Sequence, residues 1–436
     1  MTGTRSGGGS TERRPWPRPH RTTVAAGATG AVVLLAAALT GCGGNDPTAS
    51  ASASHRPVTL TGKDARTAAQ PIPRGKGSKT ASDFNGDGAP DLVLDDLAHD
   101  GLGDDAGIGI VYGKKGHGLT PEVRQLLSPA TYAAPTKGQT PAAFASEASC
   151  DLNADGFTDL VVSTDPPYDG QGQPPVPLQI LFGSPGGIAG KGVKVAIPAK
   201  ARLGNDWPDQ PVCGDFDGDG KADLVVHASN GSLSFLPGPF TRAGAPRGTA
   251  RLVPSSGNVP AGPAADVDGD GTDDVLVRAH GGTSRSAVAL GGPNGPGTAG
   301  ATYPAGTDVA FGRFGSAVLT GDGVVLKGGR TVAVTGKALD AGDLDGDGRT
   351  DLIVSGGPKI SLLAGGSRVV KGPAGGGRVI AVADFDGDGR DDLVVQRTPD
   401  SDPAKDSVVV LTGERSPSLI AAKPRLTFST AAFATD

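Results

Sequence analysis

Aromatic residues are scarce in this chain. Only 4% of its 436 residues are Phe, Trp or Tyr, with two Trp and four Tyr among them. This scarcity excludes a large core built on aromatic rings. Glycine and proline are abundant instead, with 71 Gly and 36 Pro, and they indicate many turns between short elements. Disorder is the competing interpretation of such a composition, but regular Leu-Val-Val runs argue against it beyond the N-terminal segment.

Residues typical of enzyme active sites are also few. Five His follow residue 41, and none lies at zinc-ligand spacing from another His or Cys. No Gly-x-Ser-x-Gly nucleophile elbow occurs. The many Asp residues could still supply a carboxylate pair for glycoside cleavage. We therefore expect a protein without catalytic residues, and a carbohydrate-active enzyme stays open as the alternative. No patch typical of nucleic-acid binding is present.

Cysteine occurs three times, and the first copy lies in a processing signal. Cys42 ends the sequence LTGC at residues 39–42, which looks like a bacterial lipobox. A basic segment and an apolar segment at residues 24–39 precede it, and the apolar one is too short to be a typical membrane span. We expect residues 1–41 to be a signal peptide and Cys42 to be lipidated, so that the exported protein is anchored in the cell membrane facing outward. An ordinary signal peptide with a coincidental Cys is the alternative.

The segment after Cys42 reads as a tether. Residues 43–56 are rich in Gly, Ala, Ser and Thr and would span about 20 Å as a flexible chain. Residues 75–79 form a second flexible patch, and a short strand is predicted at residues 58–60. The predicted organisation is a signal peptide at 1–41, a lipidated tether at 42–77 and a folded domain at 78–436.

One nine-residue pattern, Asp-x-Asp/Asn-x-Asp-Gly-x-x-Asp, occurs six times in the folded domain. Side-chain oxygens at positions 1, 3, 5 and 9 and the carbonyl at position 7 can surround one hard cation, and the number of ligands suits Ca²⁺ better than Mg²⁺. Gly at position 6 allows the sharp turn. The sequence thus predicts up to six Ca²⁺ sites, formed by Asp83, Asn85, Asp87, Ala89, Asp91; Asp151, Asn153, Asp155, Phe157, Asp159; Asp215, Asp217, Asp219, Lys221, Asp223; Asp266, Asp268, Asp270, Thr272, Asp274; Asp343, Asp345, Asp347, Arg349, Asp351; and Asp384, Asp386, Asp388, Arg390, Asp392.

These loops differ from EF-hands. An EF-hand needs a Glu at position 12 and helices on both sides, whereas position 12 is Leu or Val in all six copies. Each loop runs directly into a short apolar, mostly β-branched segment such as Leu160-Val161-Val162, which reads as a buried strand. Position 2 is apolar in every copy and closes the preceding strand. Each loop is therefore expected to join two strands of a hairpin.

Seven further apolar strands, most of them ending in Gly, follow these hairpins, one more than the number of acidic loops. The extra strand follows residues 309–319, which look like a repeat whose loop is reduced to Gly315-Ser316 and has no carboxylates. Repeats in this size range with several short strands each are typical of β-propellers. The predicted fold is all-β, a seven-bladed β-propeller with calcium-binding loops.

These loops and strands resemble the FG-GAP/VCBS repeats of the integrin α-subunit N-terminal propeller. The resemblance covers roughly residues 78–428, and Phe182-Gly183 is the best match to the Phe-Gly signature. It implies that each loop joins the first and second strands of a blade and holds Ca²⁺ on one face of the ring. It also implies that ligands bind the opposite face. The fifth repeat departs from the pattern, so no metal is expected there.

The acidity of the chain is concentrated in these loops. The formal net charge is −6, and removal of residues 1–41, with five Arg and one Glu, leaves −10. The six loops contain 22 Asp at ligand positions. Six Ca²⁺ would bring the mature chain to +2, so the acidity says little about a basic partner. Without metal, the carboxylates within each loop would repel one another, which indicates that metal stabilises these hairpins.

Cys150 and Cys213 each lie just before an acidic loop, in repeats two and three. Equivalent inner strands of neighbouring blades are adjacent, and export permits a disulfide. Two buried free thiols are the equal alternative.

The few Tyr and Trp residues suggest a ligand surface. Tyr132, Tyr168 and Trp207 fall on long loops and crossings of the first three repeats, on the face predicted to lie opposite the metal. Aromatics among polar loops suit recognition of a sugar or a protein, although each one could instead cap local packing. We therefore expect a non-catalytic binding or adhesion module at the cell surface whose partner is an unknown glycan or protein. A purely structural envelope protein is a further alternative.

Overall fold

The computed structural model describes residues 58–59, 69–95, 97, 106–204, 207–229, 231–257, 259–278, 285–398 and 406–435. The predicted signal peptide and Cys42 lie outside the described residues. So do His99, His280 and most of the loop at residues 95–106.

Thirty strands and a few short helices make up the described chain. The strands are β1 (Val58–Thr59), β2 (Leu92–Leu94), β3 (Ile108–Lys114), β4 (Gly118–Leu127), β5 (Ala145–Cys150), β6 (Asp159–Ser163), β7 (Leu178–Leu181), β8 (Val193–Lys194), β9 (Val212–Gly214), β10 (Asp223–His227), β11 (Ser232–Leu236), β12 (Arg251–Pro254), β13 (Val259–Ala265), β14 (Asp274–Arg278), β15 (Ser286–Leu290), β16 (Thr298–Tyr303), β17 (Asp308–Gly312), β18 (Gly315–Thr320), β19 (Gly323–Leu326), β20 (Thr331–Val332), β21 (Ala338–Gly342), β22 (Asp351–Ser355), β23 (Ser361–Ala364), β24 (Arg368–Val370), β25 (Arg378–Ala383), β26 (Asp392–Arg397), β27 (Ser407–Leu411), β28 (Gly413–Glu414), β29 (Leu419–Ile420) and β30 (Leu426–Phe428). The helices are α1 (Pro129–Tyr132) and the 3₁₀ segments Ala199–Ala201 and Thr430–Thr435.

The strands form seven antiparallel blades in chain order. Blade 1 is β2–β4, blades 2 to 6 are the successive groups of four strands from β5 to β24, and blade 7 contains β25, β26, β27 and β30. Residues 78–82 occupy the position of the first strand of blade 1, but they do not form a regular β-strand. The predicted all-β, seven-bladed propeller is therefore confirmed.

The hydrophobic core consists of seven clusters, one between each pair of neighbouring blades. Because each blade is packed between two others, both faces of its middle strands are buried. Leu224, Val225 and Val226 of β10 are all fully buried, for example. This two-sided burial explains why the second strands read as continuous apolar runs rather than as an alternating pattern.

Blade 5 lacks an acidic loop, as the sequence predicts. Gly312 pairs with Gly315, so β17 and β18 form a tight hairpin whose turn is Arg313-Phe314. The predicted position of this turn, at Gly315-Ser316, is therefore wrong by two residues. Both residues belong to β18, where Ser316 pairs with Phe311.

Blades 7 and 1 close the ring through a shared core and the N-terminal segment. Phe385, Phe428 and Phe433 of the C-terminal part pack with Leu92 and Val111 of blade 1. Strand β1 adds to the edge of blade 7 by pairing parallel to β30, which agrees with the strand predicted at residues 58–60.

The chain ahead of blade 1 is bound to that blade. The backbone N–H groups of Gly75, Lys76 and Gly77 donate to the carbonyls of Asn85 and Gly86 over 3.0–3.2 Å. A side chain at residue 75 would meet the backbone of Gly86 at about 2 Å, so glycine is required there. The end of the predicted tether, residues 75–77, is thus fixed on the first acidic loop rather than flexible.

Candidate functional site

The six acidic loops connect the first and second strand positions of blades 1, 2, 3, 4, 6 and 7, and they share one backbone conformation. Positions 4 and 6 have positive φ in every loop, and Gly occupies them except at Ala154, which has φ of 59°. The first Asp closes the turn. In blade 4, for example, Asp266 accepts hydrogen bonds from the N–H groups of Gly269, Asp270 and Gly271. The loops are therefore organised by their own carboxylates.

The Asp at position 9 ties three strands of its blade together. In blade 3, Asp223 accepts the N–H of Phe216 in its own loop at 3.0 Å and that of Gly238, after the third strand, at 2.7 Å. The same pair of bonds recurs in blades 1, 2, 4 and 6. In blade 7, Asp392 keeps only the bond from Gly413. This structural role was not visible in the spacing of the motif.

Burial raises the pKa of these position-9 carboxyls. The pKa rises to about 8 for Asp159 and Asp392, to about 7 for Asp223, and to about 6 for Asp274 and Asp351. Loss of solvent is the largest cause, and neighbouring loop carboxylates add to it, while backbone donors oppose it. A cation in the loop would compensate the charge that burial disfavours.

Position 8 links the loops of neighbouring blades. Asp273 of blade 4 accepts the N–H of Asp215 of blade 3 at 2.8 Å and donates its own N–H to the Asp215 carbonyl. Asp391 of blade 7 makes the same two bonds to Asp343 of blade 6. These Asp residues are not among the predicted ligands. The repetition of Asp at position 8 in two loops is the sequence feature that could have indicated this link between blades.

Three carboxylates converge within 4.8 Å of one another in the loops of blades 3, 4, 6 and 7. The buried atoms Asp215 Oδ1 and Asp392 Oδ2 have no hydrogen-bond partner among the described residues. All the candidate metal ligands are oxygen atoms, so the residues present fit a hard cation. The loops of blades 1 and 2 have Asn85 and Asn153 at position 3, and one fewer carboxylate each.

Arginines contact two of the loops. Arg242 pairs with Asp155 of blade 2 at 2.6 Å and lies over the Phe182 ring. In blade 7, Arg425 pairs with Asp386 and donates to the His117 carbonyl of blade 1, while Arg390 pairs with Asp388. These guanidinium groups neutralise carboxylates that would otherwise face a metal ion.

Two of the three predicted ligand-face aromatics meet on the opposite face. Tyr168, in the β6–β7 loop, and Trp207, in the crossing to blade 3, make an edge-to-face contact with ring centroids 5.3 Å apart. Both are partly exposed. Tyr132 instead packs on the core between blades 1 and 2, and its hydroxyl accepts a hydrogen bond from Gln125 at 2.9 Å. Tyr132 therefore caps local packing.

A central cavity of about 1010 Å³ runs along the first strands of blades 1 to 5. Glu147 lines it, and burial raises the pKa of this carboxyl to about 8, with Asp209 and Asp95 adding to the shift. Nearby, Asp209 pairs with buried His227 at 3.1 Å. Sequence reasoning missed Glu147, because no motif surrounds it.

Cys150 and Cys213 form a disulfide bond in the wall of this cavity. Cys150 ends β5 and Cys213 lies in β9, so the bond joins the first strands of blades 2 and 3. Of the two alternatives left by the sequence, the structure contains the bonded pair.

Comparison with known proteins identifies the repeats. Residues 151–226 match a family model described as an FG-GAP-like repeat, and residues 376–400 match the FG-GAP repeat. These two segments are similar to FG-GAP repeats. These matches and the seven blades agree with an FG-GAP propeller. No curated protein matches the chain in sequence.

Several solved structures are similar to this chain at low sequence identity. BBS1N in complex with ARL6DN is 14% identical, covers 80% of this chain and 96% of its own, and has a TM-score of 0.46. The Dos1 propeller is 11% identical over 82% and 87%, with a TM-score of 0.43. A lectin of Agrocybe aegerita that recognises terminal N-acetylglucosamine is 15% identical over 83% and 90%, with a TM-score of 0.37. Among the described residues, no helix has the length and apolar character needed to span a membrane.

Proposed function

We propose that this FG-GAP propeller is an exported, membrane-anchored binding module that uses Ca²⁺ for its stability and has no catalytic role. The observation that carries the proposal is that the candidate metal-binding loops and the exposed aromatic pair lie on opposite faces of the propeller. One face holds the acidic loops, and the other presents the partly exposed Tyr168–Trp207 pair. Partly exposed rings with polar neighbours suit contact with a sugar or a protein.

Calcium is proposed as the ion because the loops offer only oxygen ligands. In each loop the Asp and Asn side chains and the position-7 carbonyl would hold it, and the bound ion would supply positive charge that cross-links the two strands of the hairpin. Ca²⁺ accepts more ligands and more flexible geometry than Mg²⁺. Its effect on the partner would be indirect, because the loops lie opposite the aromatic pair.

Export and anchoring rest on two features. The sequence at residues 39–42 resembles a lipobox, and the Cys150–Cys213 bond is typical of an oxidising compartment. Cys42→Ala should release the protein from the membrane fraction or block its processing, because the lipid is the main anchor. Normal processing and retention of this variant in the membrane would contradict the anchor.

The binding face is tested with the double variant Tyr168→Ala/Trp207→Ala. A screen of glycans and surface proteins against Ca²⁺-loaded protein should give a ligand whose affinity falls at least tenfold in this variant. Metal content and melting temperature should stay unchanged, and Tyr132→Phe serves as the control. Unchanged affinity of the double variant for such a ligand would contradict the proposal.

A carbohydrate-active enzyme on the same scaffold is the second candidate. Glu147 favours it, because an enclosed carboxyl with a raised pKa near other carboxylates is a feature of glycosidase acids. Release of reducing sugar from polysaccharides by the wild type, lost in Glu147→Gln, would favour the enzyme over the binding module.

A further inference from the structure

The central cavity has the volume and walls of a small-molecule site. Its volume of about 1010 Å³ lies at the upper end of the usual range for ligand sites. Hydroxyl side chains line it, and the Cys150–Cys213 bond lies in its wall. Glu147, Gln210 and Arg278 lie at the end of the cavity away from the acidic loops. The chain passes Glu147 and Gln210 before it reaches the acidic loops that follow β5 and β9, and Arg278 is the last residue of β14, which leads away from its loop. This end is on the same face as the Tyr168–Trp207 pair.

Polar atoms without partners are concentrated in the cavity wall. Nine buried side-chain atoms have no hydrogen-bond partner among the described residues, and four of them belong to residues that line this cavity. Three lie toward the end that carries Glu147, namely Ser146 Oγ, Gln210 Oε1 and Arg278 Nε. Ser146 is only 7% exposed. Buried polar groups are nearly always paired, so this concentration points to a polar ligand or to bound water.

The backbone is irregular at the same residues. The β5–β6 register shifts between Ser146 and Ala148, so Glu147 is the extra residue of a β-bulge. Gln210 has φ of 54°, a conformation that costs energy for any residue other than glycine. Bulges and strained residues are common next to functional sites, where they direct side chains.

The polar groups at this end suit an uncharged ligand. Arg278 lies near the Asp308 carboxylate, whose charge offsets its own. Gln210 and Arg278 offer an acceptor and a donor, while the Ser146 hydroxyl can do both. Burial raises the pKa of the Glu147 carboxyl to about 8 while a hydrogen bond with Ser163 opposes the shift, and the protonated form of Glu147 can also donate. Sugar hydroxyls need such a mixture, because each one donates and accepts.

We propose that this end of the central cavity binds one or two sugar rings of a neutral glycan, with Glu147, Gln210 and Arg278 as its hydrogen-bonding contacts. The proposal rests on the binding function proposed above and names its ligand class. The Tyr168–Trp207 pair would then contact the part of the glycan outside the cavity.

Saturation-transfer NMR on Ca²⁺-loaded protein tests this directly. The probes are neutral mono- and disaccharides of glucose, galactose, mannose, rhamnose, xylose and N-acetylglucosamine, with glucuronate and glucosamine as charged counterparts. At least one neutral sugar should bind. Glu147→Ala and Gln210→Gly should each weaken it about tenfold, the effect of one lost hydrogen bond. Glu147→Gln, which remains an uncharged donor, should stay within about threefold of the wild type.

Controls separate this proposal from the binding face and from misfolding. Glu414→Ala, an exposed Glu in blade 7, should leave binding unchanged, and each variant is used only if its melting temperature is preserved. Binding that requires Tyr168 and Trp207 but tolerates Glu147→Ala and Gln210→Gly would overturn the cavity site and leave the binding face intact. Binding of no neutral sugar at about 10 mM, or preference for a charged one, would also overturn it.

Discussion

At the residue scale, the last Asp of each acidic loop has two roles. Its carboxylate occupies a predicted ligand position, and in blades 1 to 4 and 6 it accepts one backbone N–H bond from its own loop and another, 14 to 24 residues away, from the end of the third strand. In blade 7 only the second bond is present. The loop is therefore coupled to three strands of the blade through one side chain. A metal ion bound there would stabilise the whole blade, since it would offset the buried charge that holds these strands together.

The loop of blade 2 offers a direct test of the backbone requirement. Ala154 is the only non-glycine residue at position 4, where φ is 59°. Ala154→Gly should raise the free energy of unfolding by about 0.5–1 kcal/mol, because it removes a steric cost of about 1–2 kcal/mol and adds an entropic cost of about 0.5–1 kcal/mol for ordering glycine. Chemical denaturation measures the change. The exposed Ala196, which lies outside the positive-φ set, provides the control, and Ala196→Gly should lower stability. Equal effects at both positions would contradict the explanation.

Residue identity predicted some of these roles and missed others. The ligand positions follow from the motif, because its spacing repeats six times. The packing of Tyr132 could not be predicted, because it depends on how Gln125 of blade 1 is oriented against blade 2. Glu147 gave no signal either, since its exposure to the cavity follows from a register shift between β5 and β6.

At the scale of single elements, the acidic loops differ in whether an arginine forms an ion pair with their carboxylates. Arg242 pairs with a ligand carboxylate in blade 2, and Arg425 and Arg390 do so in blade 7. No such pair occurs in the loops of blades 3, 4 and 6 within the described chain, although the charge of Arg251 acts on Asp217 of blade 3. We expect Ca²⁺ to bind the loops of blades 4 and 6 more tightly than those of blades 2 and 7, because a guanidinium group repels the incoming ion.

Replacing Arg425 tests this division. Arg425→Gln should tighten Ca²⁺ binding at blade 7 about two- to fivefold, the range expected for one partly exposed charge pair. It should also lower the melting temperature in EDTA, because the side chain bridges Asp386 and the His117 carbonyl at the ring closure. Calorimetric titration and melting curves measure both effects, with the exposed Arg368→Gln of blade 6 as the control. Weaker Ca²⁺ binding in Arg425→Gln would show that the arginine supports the site.

The disulfide between blades 2 and 3 is a second test at this scale. It closes a loop with a sequence separation of 63 residues, so chain entropy predicts a contribution of about 4 kcal/mol. The variant Cys150→Ala/Cys213→Ala should unfold at a clearly lower urea concentration than the wild type. Reductant should lower the midpoint of the wild type and leave that of the variant unchanged. A wild type that is insensitive to reductant in the unfolding transition would mean that the bond contributes little.

At the scale of the whole molecule, the ring is held by seven equivalent interfaces. The number of blades could be predicted because each blade contributes an apolar third strand, including blade 5, which has no acidic loop. The short strand at residues 58–60 could be predicted, but the closure could not, because it depends on the parallel pairing of that strand with β30 and on Phe433 packing against Gly109. Neither contact has a signature in the local sequence.

The raised carboxyl pKa values predict how stability changes with pH. In the metal-free folded state these carboxyls keep their protons up to about pH 6–8, whereas in the unfolded state they lose them near the ordinary Asp pKa of 3.8. The free energy of unfolding should therefore fall as the pH rises from about 4 to about 8. Ca²⁺ displaces these protons, so the stabilisation it gives should grow over the same window. Melting curves at about pH 5.5 and pH 8, with EDTA or Ca²⁺, measure both trends. A metal-free protein more stable at pH 8 would contradict them.

The most direct test of the account is the number of Ca²⁺ ions bound per chain. Elemental analysis of Ca²⁺-saturated protein after removal of free ion should give four to six ions, because four loops bring three carboxylates together and two more have Asn at position 3. Asp217→Ala/Asp223→Ala should remove one ion, whereas Arg313→Ala in blade 5 should remove none. Chelation should lower the melting temperature of the wild type, since ions that bind only the folded state stabilise it. Two or fewer ions per chain, or a melting curve unchanged by chelation, would contradict a calcium-stabilised propeller.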